Sequence, residues 1–180
     1  MKIALSQSNP TVGAITDNMN DALNIVQKAC DGGADLLVFP EMYLSGYPAE
    51  DLVLKPAFID RTTKALETFK TLTHTKDIHI LMPLPIKNGD RLYNAAVLIH
   101  KGKALLYVHK KHLPNYTVFD EVRVFDEGAP ADVIEINGMQ CGFMICRDIW
   151  HDDVAQALKN KGAEILIAPN ASPYEVDKLN

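Results

Sequence analysis

The strongest constraint on the fold is the run that opens the chain, because it switches from strand to helix to strand in quick succession. Residues 2–8 read as a strand, and a loop through Pro10 and Gly13 follows. Thr16 or Asp17 then offers a helix N-cap. Ala22, Ile25, Val26 and Ala29 fall on one face of a 3.6-residue period, and Gly32-Gly33 stops the helix. Residues 35–39 form a short apolar strand closed by Pro40. Two apolar strands joined by an amphipathic helix predict an α/β fold whose sheet is largely buried under helices. A length of 180 residues suits one domain. With 47% hydrophobic residues, it can bury a core without disulfides or a structural metal.

The rest of the chain continues the pattern. A helix over 56–72 carries Phe58, Leu66 and Phe69 on its apolar positions. Strands are expected over 79–83, 92–100 and 103–109, with tight connections at Asn88-Gly89 and Gly102. A polar, aromatic loop spans 110–127. Two further strands, 132–136 and 139–145, meet at Asn137-Gly138. A helix over about 151–161 and a strand over 164–168 lead into Asn170-Ala171-Ser172-Pro173-Tyr174. Four chemically capable positions thus sit just beyond strands: Glu41, Lys110, Cys146 and the stretch at Asn170. Ligands collect outside the carboxyl ends of strands in open α/β sheets, so these four point to one site.

Several function classes are disfavoured. The formal net charge is −5, with no basic block, so no nucleic-acid partner is expected. No apolar run is long enough for a bilayer span, and the first ten residues do not read as a signal peptide. Three cysteines, with no C-x-x-C pair, point to free thiols in a reducing compartment, and the expected location is cytoplasmic. Metal-ligand spacings, glycine-rich phosphate loops and the G-x-S-x-G elbow are all missing.

Among the cysteines, Cys30 lies late in an amphipathic helix and Cys141 inside an apolar strand, so both read as packing residues. Cys146 follows an apolar run and precedes a helix. At such a turn a side chain is expected to be presented, and the helix N-terminus favours a thiolate. A cysteine nucleophile needs a base. His109, His112 and His151 are nearby in sequence, but none has an acidic or amide partner at a diagnostic spacing, and each reads as a surface or supporting residue.

Three blocks then resemble one family. Phe39-Pro40-Glu41, the run from Tyr107 through Lys110 to Leu113, and Ile145-Cys146-Arg147-Asp148-Ile149-Trp150 are similar, in order and spacing, to the Glu–Lys–Cys blocks of the nitrilase, or carbon–nitrogen hydrolase, superfamily. The stretches 44–52, 113–121 and 170–174 narrow the resemblance to the N-terminal glutaminase domain of glutamine-dependent NAD synthetases. The resemblance covers 1–180. It implies a nitrilase-type α-β-β-α four-layer sandwich. In it Glu41 is general base, Lys110 stabilises the oxyanion, Cys146 attacks and Glu121 is a second, supporting glutamate. The resemblance implies Lys110 rather than Lys111, because the family's lysine sits two residues before the histidine of the His-Leu pair, here His112. Tyr47, Tyr116, Phe119 and Ser172 correspond to glutamine-pocket positions.

The implied reaction hydrolyses the glutamine side-chain amide through a cysteine thioester, using no cofactor and no metal. ATP, magnesium and deamido-NAD would belong to a synthetase domain absent from this sequence. The implied partners are glutamine, a synthetase domain or subunit, and further copies of the chain. Two departures stand out. Arg147 occupies a position where the family's cysteine block usually has an acid, and an arginine there could lower the thiol's pKa, break a structural ion pair or distort the turn. The chain also ends before the family's sandwich is complete, which leads to the expectation of a C-terminally incomplete domain. Two alternatives stay open: an amidase acting on another small amide, and a catalytically inactive remnant.

Overall fold

Strands β1 (Ile3–Leu5), β2 (Leu36–Val38) and β3 (His79–Asn88) lie side by side and parallel, connected by helices α1 (Ile15–Asp31) and α2 (Pro56–Leu72). The computed structural model describes residues 1–173. Strands β4 (Arg91–His100) and β5 (Lys103–His109) extend the same sheet antiparallel, in the order β1-β2-β3-β4-β5. A second sheet holds β6 (Ile134–Ile136), β7 (Met139–Phe143) and β8 (Ile165–Ile167). The β6–β7 hairpin turns at Asn137-Gly138, both at positive φ (47° and 76°), which asparagine and glycine tolerate. Helix α3 (Asp152–Asn160) connects β7 to the parallel strand β8.

Side-chain alternation builds the layers. Leu37, Ile80, Met82, Val97 and Ile99 project from one face of the first sheet and pack against Ala22, Val26, Leu66 and Phe69 of α1 and α2. Their neighbours Leu36, Val38, Leu81, Ala96 and Leu98 project from the other face, onto Ile136, Cys141, Phe143 and Ile167 of the second sheet. The far side of that sheet meets Val154 and Leu158 of α3 through Met144 and Ala163. The order is helices, sheet, sheet, helix, the expected α-β-β-α sandwich. Because both faces of the first sheet are covered, its central strands read as continuous apolar runs.

Local expectations needed correction in several places: β1 stops at Leu5, short of residue 8, and β7 stops at Phe143, short of residue 145. Helix α1 begins at Ile15, and neither Thr16 nor Asp17 caps it. Ile15 is buried in the core, and the Asn18 side chain closes the preceding loop instead, accepting from Thr11 N (3.0 Å) and donating to Thr11 O (2.9 Å). Strand β3 runs on to Asn88 through Pro83 and Pro85, beyond the expected end at residue 83. It outlasts β2, whose last pairing is Val38 with Leu81. Pro83 O accepts from Leu44 N, so the missing proline N–H groups face away from β4 and cost no ladder bond.

Candidate active site

Each candidate residue enters the site from the end of a different strand. After β2 the chain leaves the sheet at Phe39-Pro40, and Glu41 is drawn inward, its N–H donating to Asn170 O (3.4 Å). After β5, Lys110 N donates to Asn94 O on β4 (2.9 Å). Gly128 N closes that junction from outside by donating to Lys110 O (2.9 Å). Only glycine fits there, since a Cβ would lie 2.7 Å from the His109 carbonyl oxygen. After β7, Cys146 opens a 3₁₀ turn (Cys146–Trp150) at φ 43°, and its N–H donates to Pro169 O (3.0 Å) beyond β8. A non-glycine residue at positive φ is a strained backbone held by its surroundings.

Glu41, Lys110, Glu121 and Cys146 are all buried. Lys110 Nζ lies 2.7 Å from Glu41 Oε1 and 2.9 Å from Glu121 Oε2. Asn94 Nδ2 donates to the Oε1 atoms of both glutamates, at 2.8 and 3.2 Å. Tyr47 Oη donates to Glu121 Oε1 (2.9 Å). Ala171 N donates to Glu41 Oε2 (3.2 Å). Cys146 adjoins this cluster, and its thiol is within hydrogen-bonding reach of Glu41.

The electrostatics follow from burial and from two carboxylates sharing one ammonium. Burial opposes the charge on Lys110, but Glu41 and Glu121 outweigh it and hold the lysine protonated. Glu121 is raised, first by burial and then by Glu41, with Lys110 offsetting part of the shift. Burial and the neighbouring carboxylates push the Tyr47 phenol well above its ordinary range. The Cys146 thiol is pushed up to about 12, first by burial and then by the Glu41 charge, against Lys110. This corrects the expectation of an exposed cysteine made acidic by a helix N-terminus. Cys146 is only 8% exposed. The N–H groups of Cys146 and Asp148 in its turn are spent on Pro169 O and Ile145 O. The resting group is a thiol beside its base.

A cavity of about 670 Å³ opens onto Glu41. Tyr47, Phe119, Ala171 and Ser172 line it, together with the segment from Ser6 to Pro10. Its volume suits a small molecule. Tyr116 is not part of this lining. It meets Phe119 edge-on (5.5 Å between ring centres) and is 46% exposed. Arg147 accounts for its position: Nη1 donates to Tyr116 Oη (2.8 Å), and the guanidinium lies 4.8 Å from the ring centre. Arg147 is therefore turned toward Tyr116, at the rim of the site.

Lys111 points elsewhere, pairing with Asp153 (2.6 Å). His109 stacks on Tyr93, and His112 stacks on His151 while bonding Asp153 (2.7 Å). Two residues escaped the sequence reading. Asn94 left one trace, a lone amide within an apolar strand. Asp148, 1% exposed, accepts from Ile145 N (3.0 Å), Lys111 N (3.1 Å) and His112 N (2.8 Å). It ties the loop carrying Lys110 to the turn carrying Cys146. Tyr174, the end of the 170–174 block, lies outside the described residues.

Residues 2–179 match the family model described as carbon-nitrogen hydrolase. The chain belongs to that family. Within it, this carbon-nitrogen hydrolase is 40% identical over 180 residues to a glutamine-dependent NAD(+) synthetase of Rhodobacter capsulatus, covering 99% of this chain and 32% of that protein. It is 41% identical over 182 residues to the corresponding protein of Aquifex aeolicus (strain VF5), covering 100% of this chain and 32% of that one. It thus spans about a third of the length of these relatives. The structure of a glutamine-dependent NAD+ synthetase from Acinetobacter baumannii, in complex with adenosine diphosphate, superposes with a TM-score of 0.92 at 36% identity, over 98% of this chain and 33% of that one. An amidase from Nesterenkonia sp. shares the fold, with a TM-score of 0.86 at 22% identity over 98% of this chain and 66% of its own.

Proposed function

We propose that this carbon-nitrogen hydrolase converts the side-chain amide of glutamine to glutamate and ammonia through a thioester on Cys146. The single observation that carries the reading is the buried convergence of Glu41, Lys110 and Cys146 beside a cavity of amide-substrate size. Cys146 Sγ attacks the amide carbon while Glu41 takes the thiol proton, so a thiol with a pKa of about 12 is activated as it reacts. Lys110 has three N–H donors, and the one not engaged by the two glutamates stabilises the oxyanion. Glu41 returns the proton to the amide nitrogen, the C–N bond breaks and ammonia leaves. Water then attacks the thioester, Glu41 accepts its proton, and Sγ departs with that proton as glutamate is released.

In this reading Tyr47, Phe119 and Ser172 contact the substrate from the cavity wall, and Tyr116 braces Phe119. The reaction uses side chains and water alone. The ammonia passes to a synthetase domain or subunit that amidates deamido-NAD with ATP and magnesium; what supports this is that the relatives' names pair glutamine dependence with NAD(+) synthesis. Exposed Ile149 and Trp150, beside the nucleophile turn, supply apolar surface for such a partner or for further copies of the chain. The setting is cytoplasmic. No helix among the described residues is long and apolar enough to cross a membrane.

The test is ammonia release across a panel of glutamine, asparagine and simple aliphatic amides, with Cys146→Ala as the blank. Glutamine should be preferred, and the blank should be inactive. Preference for a simple amide would favour the alternative amidase. No turnover, with Cys146 unlabelled by a glutamine-analogue electrophile, would make the chain an inactive remnant.

A further inference from the structure

We propose that Asn94 is the positioning residue that lets two carboxylates share one buried ammonium and keeps one oxygen of Glu41 free for the thiol proton. The proposal rests on the amide-hydrolase reading above. Asn94 sits on β4, between β3 and β5, and is fully buried. It holds the cluster by two routes. Its main-chain oxygen accepts from Lys110 N (2.9 Å), which sets where the lysine leaves β5. Its Nδ2 donates to Glu41 Oε1 (2.8 Å) and Glu121 Oε1 (3.2 Å), and Lys110 Nζ binds the same two atoms at 2.7 and 3.0 Å.

The residue type follows from charge. Two glutamates beside one lysine bring two acidic groups to a single cation in a dry site, where like charges repel strongly. A neutral amide supplies two N–H donors without adding charge of either sign. Aspartate would put a third carboxylate into the cluster, and an aliphatic residue would leave both Oε1 atoms one donor short. Asn94 Oδ1 has no hydrogen-bond partner among the described residues although it is buried. The amide is thus oriented by its donor end alone. The consequence reaches the chemistry. Glu41 Oε1 is occupied twice, by Lys110 and Asn94, whereas Oε2 accepts from the Ala171 N–H. Oε2 is therefore the oxygen left with capacity for the Cys146 proton.

The experiment compares Asn94→Leu and Asn94→Asp with wild type in the full gene product, with folding checked by circular dichroism and urea unfolding. Asn94→Leu should lower kcat roughly tenfold to hundredfold, the range of losses at supporting contacts, and leave KM for glutamine within about threefold. Asn94→Asp should move the acid limb of the kcat/KM profile to higher pH, because the added carboxylate raises the proton affinity of the base. It should also raise the pH midpoint of Cys146 alkylation by iodoacetamide, a readout independent of amide hydrolysis. Unchanged pH limb and alkylation midpoint in Asn94→Asp, or a kcat loss in both variants that merely tracks the unfolded fraction, would overturn the proposal. If wild type hydrolyses no amide, the reading of the function fails, and the alkylation midpoint alone decides the placement of Asn94.

Discussion

Glu41 acts on Cys146 in two opposed ways. As a charge it keeps the thiol protonated, and as a base it removes that proton during attack. Replacing it separates the two effects. Glu41→Gln should lower amide hydrolysis by roughly 10²–10⁴-fold, the usual worth of a general base. The same change removes the negative neighbour that raises the thiol, so the midpoint of Cys146 alkylation should fall below about 12. Rates of ammonia release and of iodoacetamide labelling, measured across pH on the same preparations, check both. If hydrolysis and alkylation both fail at every pH, Glu41 is required for the fold of the site and not for proton transfer.

At the scale of elements, the site depends on how strand ends are tied to one another. Asp148 accepts N–H groups from Ile145 and from both residues that follow Lys110, so one carboxylate couples the β5 exit to the β7 exit. Asp148→Asn keeps the shape but replaces an acceptor oxygen with an N–H donor facing other donors. The loss of one hydrogen bond to a buried charge costs about 1.5–3 kcal/mol. A lower urea midpoint is expected, together with a kcat that falls further than the folded fraction, because Lys110 and Cys146 lose their mutual register. An unchanged kcat per folded molecule would assign Asp148 to stability alone.

The whole molecule records the buried thiol in its stability. The native pKa of Cys146 is raised from 9.0 to about 12. Its contribution is therefore fully present below about pH 9 and is lost as pH rises toward about 12, because the unfolded chain ionises first. The fall is at most about 1.4 kcal/mol per pH unit. Cys146→Ala should flatten this alkaline loss, seen as a smaller drop in urea midpoint between about pH 9 and pH 10.5. Equal slopes in the two proteins would mean that the thiol is not held neutral in the native state.

Much of the architecture was legible because it rests on local periodicity. The apolar face of α1, the bounds of α2 and β5, and the Asn137-Gly138 hairpin follow from spacing and turn chemistry over a few residues. The positions of Glu41, Lys110 and Cys146 beyond strand ends were equally readable. Tertiary structure alone decided the rest. β3 continues through two prolines because β2 ends early, a fact carried by a segment some forty residues away. Cys146 is enclosed by residues from three other strand ends, Glu41, Ala171 and Lys110, and its thiol is raised by that burial and by the Glu41 charge, against Lys110. Asn94 and Asp148 matter through partners distant in sequence, and an isolated amide or acid in a string of letters carries no sign of them. Periodicity is a local property that sequence displays directly. Burial, proton affinity and hydrogen-bond partnership are sums over neighbours, and only the folded chain brings those neighbours together.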